Sequence, residues 1–249
     1  MAAKKNPESR PACLITGGSS GIGLATAKLF AGKGYDIAIC GRDETKLRSA
    51  KSEIMESASA SNHEIRCLAM SIDLTDPDQA RTFVKNSIDQ FKRVDVFVNN
   101  ASMAPLASFE EIPEETFEAT INIALRSLFY ATQIAWKKMK NQGNGVVVNI
   151  SSLSAVDPFP GFSLYGACKA WLDLMTHALA VEGKEHGLRV CSIRPGAVET
   201  PMLRGLFPDF PADQCVAPEA IAEVAWGCVN DPAAYPSGQA FPVTNQPTS

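Results

Sequence analysis

Apolar and polar positions along this 249-residue chain alternate on two length scales. Short runs that are apolar almost throughout recur at 12–16, 35–40, 65–70, 94–98, 146–150 and 188–193. Between them lie longer stretches in which apolar residues return at helical spacing: from the Gly-rich turn after 16 to about 31, then 43–57, 76–91, 113–140 and 163–186. Local chemistry supports these limits. Asp43 is placed to cap its helix and Pro77 falls in a first turn, while Gly32, Gly34, Gly143, Gly145 and Gly187 follow helix ends. Strands that are apolar on both faces and separated by helices predict a parallel sheet covered on both sides. The expected fold class is therefore α/β: a single Rossmann-like, doubly wound domain over 1–249, with residues 1–10 flexible. In such sheets ligands bind beyond the carboxyl ends of the strands, so the residues just after each strand are where chemistry is to be sought.

Composition narrows the class without naming it. Hydrophobic residues are 45% and charged residues 20% of the chain, as in ordinary globular proteins. The formal net charge of −4 offers no basic excess, so nucleic-acid binding by bulk charge is not expected. No apolar run is long enough to span a membrane, and the polar start does not resemble a signal peptide. The seven cysteines are scattered, form no C-x-x-C pair and have no histidine grouped with them, so neither a metal site nor a disulfide framework is expected. Reduced buried thiols in a cytoplasmic protein fit better, and the N-x-S matches at Asn100 and Asn149 are then accidental.

The first strand runs into Thr16-Gly17-Gly18-Ser19-Ser20-Gly21-Ile22-Gly23 and then directly into a helix. Glycines there permit a tight turn and let backbone N–H groups at the helix start approach a pyrophosphate. A P-loop is excluded, because Leu24-Ala25 stand where Lys-Ser/Thr would be required. The second strand ends Cys40-Gly41-Arg42-Asp43. A guanidinium at Arg42 suits a 2′-phosphate, and no carboxylate precedes it, so NADP is favoured; Asp43 stays open as a ribose ligand, which leaves NAD possible.

Ser151-Ser152 follows the fifth strand, and Tyr165-Gly166-Ala167-Cys168-Lys169 opens the next helix. The i, i+4 spacing stacks a phenol and an ammonium on one helical face. A nearby ammonium is expected to lower the phenol pKa from about 10, so that Tyr165 exchanges a proton near neutrality while Ser152 holds a substrate oxygen.

With these motifs in order, the chain resembles the short-chain dehydrogenase/reductase family from about residue 12 to residue 200. The carriers are TGGSSGIG at 16–23, Asp73, NNAS at 99–102, Asn122, Ser152, YGACK at 165–169 and RPGAVET at 194–200. The resemblance implies an NAD(P)(H)-dependent oxidoreductase with a catalytic set of Asn122, Ser152, Tyr165 and Lys169. In it Tyr165 is the acid or base, Ser152 positions the substrate, Lys169 binds the nicotinamide ribose and Asn122 holds a proton-relay water. It implies cofactor contacts at Gly17, Ser19, Ser20, Gly21, Ile22, Gly23, Arg42, Tyr165 and Lys169, an adenine site at Asp73 and Leu74, flanking contacts at Asn100 and Ala101, and nicotinamide contacts at Pro195, Gly196, Val198 and Thr200. Plainer roles remain open: Asn122 as an outward-facing helix residue, Asn99 and Asn100 as turn formers, Asp73 as a helix cap, Arg194 as an ordinary charge before a turn. The chain departs from the family pattern at Ser102, in a short segment between Thr200 and Pro218, and at a C-terminus where Pro242 suits an edge strand.

The substrate is expected to be an apolar or medium-sized carbonyl compound or secondary alcohol in a pocket drawn from Met103, Leu106, Phe159, Phe162, Met202 and Phe207, side chains that could instead simply pack on one another. A 3-oxoacyl thioester is the alternative substrate class, and a sensor or scaffold that binds NADP without turnover the alternative function. A methyltransferase would leave Ser152, Tyr165 and Lys169 without a role. The family also implies a homodimer or homotetramer built on the helices near 113–140 and 163–186.

Overall fold

In a computed structural model, which describes residues 10–245, the apolar runs form one sheet of seven parallel strands in the order β3-β2-β1-β4-β5-β6-β7. These are β1 (Ala12–Thr16), β2 (Asp36–Gly41), β3 (Cys67–Ser71), β4 (Val96–Asn99), β5 (Gly145–Ile150), β6 (Leu188–Pro195) and β7 (Ala240–Val243). Successive side chains on a strand point to opposite faces, so each strand feeds two cores. Cys13, Ile15, Ile37, Ile39 and Val98 pack on one side against Phe30 and Ala31 of α1 (Gly21–Gly32), Ile54 of α2 (Glu44–Ala60) and Ile221 of α8 (Pro218–Asn230). Leu14, Ala38, Phe97 and Val147 pack on the other against Phe83 and Val84 of α3 (Pro77–Phe91) and Ala135 and Met139 of α5 (Leu128–Gln142). Burial on both faces is why these strands read as unbroken apolar runs.

The chain reverses its direction of travel across the sheet between β1 and β4, which opens a crevice at their carboxyl ends. The helix starts follow their caps. Asp43 accepts from the Thr45 and Lys46 amides (2.9 and 3.0 Å), and it is Asp76, not Asp73, that caps α3. Arg10 is not free as expected, since its Nε donates to buried Asp36 at 3.1 Å. The rest of the expected flexible start, 1–9, lies outside the described residues.

Two stretches differ from the sequence reading. The long helix at 113–140 is three pieces, α4 (Glu114–Ile121), a π turn (Asn122–Ser127) and α5. The tail adds α7 (Pro201–Leu206), α8 and β7. The carbonyls of Val243 in β7 and of Gln239 just before it accept from the Gly196 and Ser192 amides, so the alternate residue Pro242 turns its missing donor to the open edge, where an edge strand tolerates it. Among the described residues no helix is long and apolar enough to cross a membrane.

Candidate active site

Residues from every strand end around the switch point line one cleft of about 1590 Å³. That exceeds the roughly 300–1,000 Å³ of an ordinary small-ligand pocket. At one end the β1–α1 turn is bare backbone for steric reasons. A Cβ on Gly23 would sit 2.3 Å from the Gly17 carbonyl oxygen and 2.6 Å from Asn100 Nδ2, and one on Gly18 would meet Ile39 at 2.4 Å. Gly17 and Gly21 hold φ of +67° and +52°, the left-handed region that glycine enters without strain. Asn100 clamps this turn from β4: its Nδ2 donates to the carbonyls of Thr16 (2.9 Å) and Gly17 (3.0 Å). No side chain caps the start of α1 and no acid lies in its first turn, so its positive end faces the cleft unopposed.

Beside the turn lie Arg42, exposed at the rim, and Asp73, whose carboxylate accepts from the Thr75 amide at 2.9 Å. That hydrogen bond, helped by the Arg42 charge, holds the Asp73 pKa below the usual carboxylate range. The Ser102 hydroxyl lines the same cleft, buried and without a partner. A dinucleotide fits this set: bare glycine backbone at an uncapped helix start, an exposed guanidinium at the end of β2 and an unsatisfied hydroxyl.

At the middle of the cleft β5 and α6 (Ser163–Gly183) bring Ser152, Tyr165 and Lys169 together. Ser152 begins a short 3-10 turn, its Oγ accepting from the Ser154 amide at 3.1 Å, and it also hydrogen-bonds the Tyr165 hydroxyl. Lys169 is buried, donates from Nζ to the Ile150 carbonyl at 2.7 Å and stands 5.4 Å from the Tyr165 ring centre. Here the expectation of a lowered phenol pKa is not met. Desolvation raises the Tyr165 pKa above its ordinary value, only partly offset by the Ser152 hydrogen bond, and burial pushes Lys169 down to about 8. For both groups the removal of water is the largest effect.

Sixteen of the residues expected to touch a cofactor line this cleft, from Gly17 through Thr200. Gly23 does not line it but lies beneath the turn, packed on Gly17. Thr200 also caps α7, accepting from the Leu203 amide at 3.2 Å. Asn99 is a buried strand residue rather than a turn former, its Nδ2 bonded to Asn149 (2.9 Å) and Thr132 (3.0 Å). Arg194 is paired with Asp173 at 2.7 Å.

Asn122 is the one member of the expected catalytic set that does not line the cleft. Its Oδ1 accepts from Arg126 at 2.7 Å, Arg126 is paired with Glu118 at 3.0 Å, and it is the next residue, Ile123, that lines the cleft. The Asn122 side chain is thus engaged with exposed Arg126 while its neighbour Ile123 faces the cleft. All six expected pocket side chains line the cleft, and Phe159, Phe162 and Phe207 also pack on one another. The sequence reading missed Gly41, where a Cβ would crowd Ser19 Oγ at 3.0 Å, and it missed Leu203, Leu206 and Phe210 of the covering segment.

The family model described as short chain dehydrogenase matches residues 11–210. The chain belongs to the short-chain dehydrogenase/reductase family. Among relatives of this short-chain dehydrogenase/reductase is the 3-oxoacyl-[acyl-carrier-protein] reductase FabG of Thermotoga maritima, 33% identical over 91% of this chain and 93% of the relative. Two similar solved structures carry cofactors. The 3-ketoacyl-(acyl-carrier-protein) reductase of Brucella melitensis complexed with NADH matches with a TM-score of 0.83 at 27% identity, over 94% of this chain and 97% of that one. A short chain dehydrogenase of Burkholderia cenocepacia in complex with NADP matches with a TM-score of 0.82 at 26% identity, over 96% and 98%.

Proposed function

We propose that this oxidoreductase interconverts a carbonyl compound and a secondary alcohol using NADP(H), with Tyr165 as general acid and base. The observation that carries this is the meeting of Ser152, Tyr165 and Lys169 in a cleft continuous with the glycine turn. A nicotinamide held here would supply, or take back, the hydride at the carbonyl carbon. The chain's own groups do the rest. Ser152 holds the carbonyl oxygen, and the Tyr165 hydroxyl, protonated at neutral pH as an ordinary phenol is, gives its proton to that oxygen as the C=O double bond becomes a C–O single bond. In the alcohol-to-carbonyl direction the proton returns to Tyr165, which favours oxidation at higher pH. The Lys169 ammonium, anchored on the Ile150 carbonyl, faces the ring and stabilises the phenolate as it forms.

Arg42 supports NADP over NAD, since an exposed guanidinium at the end of β2 suits a 2′-phosphate better than a bare ribose. The relative named as an acyl-carrier-protein reductase favours a second substrate reading, a 3-oxoacyl thioester. Assembly as a homodimer or homotetramer in the cytoplasm completes the proposal, with Leu174 and Val181 of α6 supplying an exposed apolar face.

Tyr165→Phe tests the mechanism. Turnover is expected to fall about 10²–10⁴-fold, while NADPH binding, followed by fluorescence titration, persists. Titrating NADH alongside is expected to give the weaker affinity. Retained turnover in the variant removes Tyr165 from the reaction, and absence of binding to either nucleotide defeats the enzyme reading as a whole.

A further inference from the structure

The substrate half of the cleft differs from the cofactor half in both ring content and charge. Phe162 is its hub, 5.5 Å from the Tyr165 ring, 6.1 Å from Phe207 and 6.5 Å from Phe159, with interplanar angles of 49°, 69° and 65°. The series begins at the rim, where Phe159 is 68% exposed, and ends on the phenol that the mechanism uses. Leu106 and Met202 flank the rim with 44% and 43% of their surface exposed. Large apolar side chains left open along one groove mark surface that a ligand covers.

Charge narrows the ligand further. Among the described residues, the cations lining the cleft are Arg42 at the cofactor end and Lys169, whose ammonium is held by the Ile150 carbonyl. The charged residue lining the substrate half is an acid, Asp157. The neighbouring guanidinium, Arg204, has all its donors engaged: Nε and Nη2 on Glu199, Nη1 on the Pro208 and Phe210 carbonyls at 3.1 and 2.6 Å, and Nη2 also on Cys215 Sγ at 3.9 Å. A carboxylate or phosphate entering here would lose its water with no free cation among the described residues to replace it and an acid nearby.

We infer that the substrate is an uncharged carbonyl compound bearing an aromatic ring, or the matching secondary alcohol, seated with its ring among Phe159, Phe162 and Phe207. This rests on the oxidoreductase reading above and sets the ring compound against the carrier-bound thioester. Ring–ring packing explains the selection: an edge-to-face contact discriminates an aryl group from an aliphatic group of like size by roughly two- to tenfold.

The test compares kcat/KM, by NADPH absorbance, for acetophenone, cyclohexyl methyl ketone, 4-acetylbenzoate and acetoacetyl-CoA. The expected order places acetophenone roughly two- to tenfold above the cyclohexyl ketone, with 4-acetylbenzoate and acetoacetyl-CoA below both. In Phe159→Ala, a substitution at a largely exposed rim side chain, the ratio of aryl to cyclohexyl ketone is expected to fall toward one. A cyclohexyl ketone turned over as well as the aryl ketone, or an anionic substrate preferred, overturns the ring inference and leaves the oxidoreductase reading standing. An unchanged ratio in Phe159→Ala also overturns it. No turnover of any of the four with NADPH or NADH defeats both.

Discussion

The two halves of the cleft are built by different means. The cofactor half is backbone and short polar groups: glycines that no side chain can replace, an asparagine clamp on two carbonyls, an uncapped helix start. The substrate half is side chains on irregular segments, with α7 only six residues long and a single bridge, Val198 to Val216, tying its base. A site that binds an invariant ligand can be fixed by close backbone approach, which tolerates little change. A site that selects among ligands can vary its side chains while the scaffold stays intact. The contrast predicts where substitutions harm stability, where they harm cofactor binding and where they touch the substrate alone.

The largest expected effect lies where the halves meet. Lys169 is buried with its pKa at about 8, against 10.5 for the unperturbed group. Below pH 8 the ammonium is charged in both folded and unfolded chains, and its burial cost is constant. Between about 8 and 10.5 the unfolded chain binds more protons, so folded stability rises with pH on account of this group, by about 3 kcal/mol in all. Lys169→Met removes the charge and keeps a similar stem. Urea denaturation at pH 7 is expected to show the variant more stable than the parent, with the gap closing toward pH 10.5, although turnover is lost. A gap that does not change with pH would show that the ammonium is not the destabilising element.

Next in size is a pair of glycines, one from each half. Gly23→Ala forces a Cβ to within 2.3 Å of the Gly17 carbonyl oxygen, whereas Gly205, in α7, has nothing within 4 Å of its Cβ position. Overpacking of the first kind typically costs about 1–3 kcal/mol, and it also displaces the turn, so NADPH affinity falls with stability. Gly205→Ala is expected to leave both unchanged or to stabilise α7 by up to about 1 kcal/mol. Thermal melts with and without NADPH decide it. Equal losses from the two variants would erase the contrast between a backbone-built and a side-chain-built half.

The same contrast governs how much the sequence could reveal. The glycine turn, Ser152 and the Tyr165–Lys169 pair were legible because each is a fixed spacing on a regular element, and strand order alone places them at one sheet edge. The direction of the Asn122 side chain was not legible. A π turn changes the angular register of the helix, and nothing in Asn122–Ser127 marks where the extra residue enters, so the resemblance favoured the relay reading while the side chain's contact with Arg126 lay beyond what spacing shows. The Tyr165 pKa was misjudged because spacing shows the ammonium but not the burial that outweighs it. Helix α8 carried a signal, Pro218 in the first turn with Ile221, Ala225 and Cys228 on one face, but its small side chains make the apolar stripe faint. The covering segment was the least legible part, because its form depends on one arginine reaching carbonyls that no motif announces.

That arginine gives the smallest and most selective prediction. Arg204 ties Glu199, before α7, to the Pro208 and Phe210 carbonyls after it, so one guanidinium holds the two ends of the segment against each other. Phe207 sits inside this loop and packs on Phe162. Arg204→Ala frees the segment without touching the glycine turn or the catalytic groups. KM for the carbonyl substrate is expected to rise by up to about tenfold, through loss of the pre-set position of Phe207, while kcat changes less and the Kd for NADPH stays as in the parent. Arg204→Lys is expected to recover little, because one ammonium cannot reproduce a planar fork that reaches both sides of the loop. A matching rise in the NADPH Kd would mean that the two halves are mechanically coupled, and that the covering segment belongs to the cofactor site as much as to the substrate site.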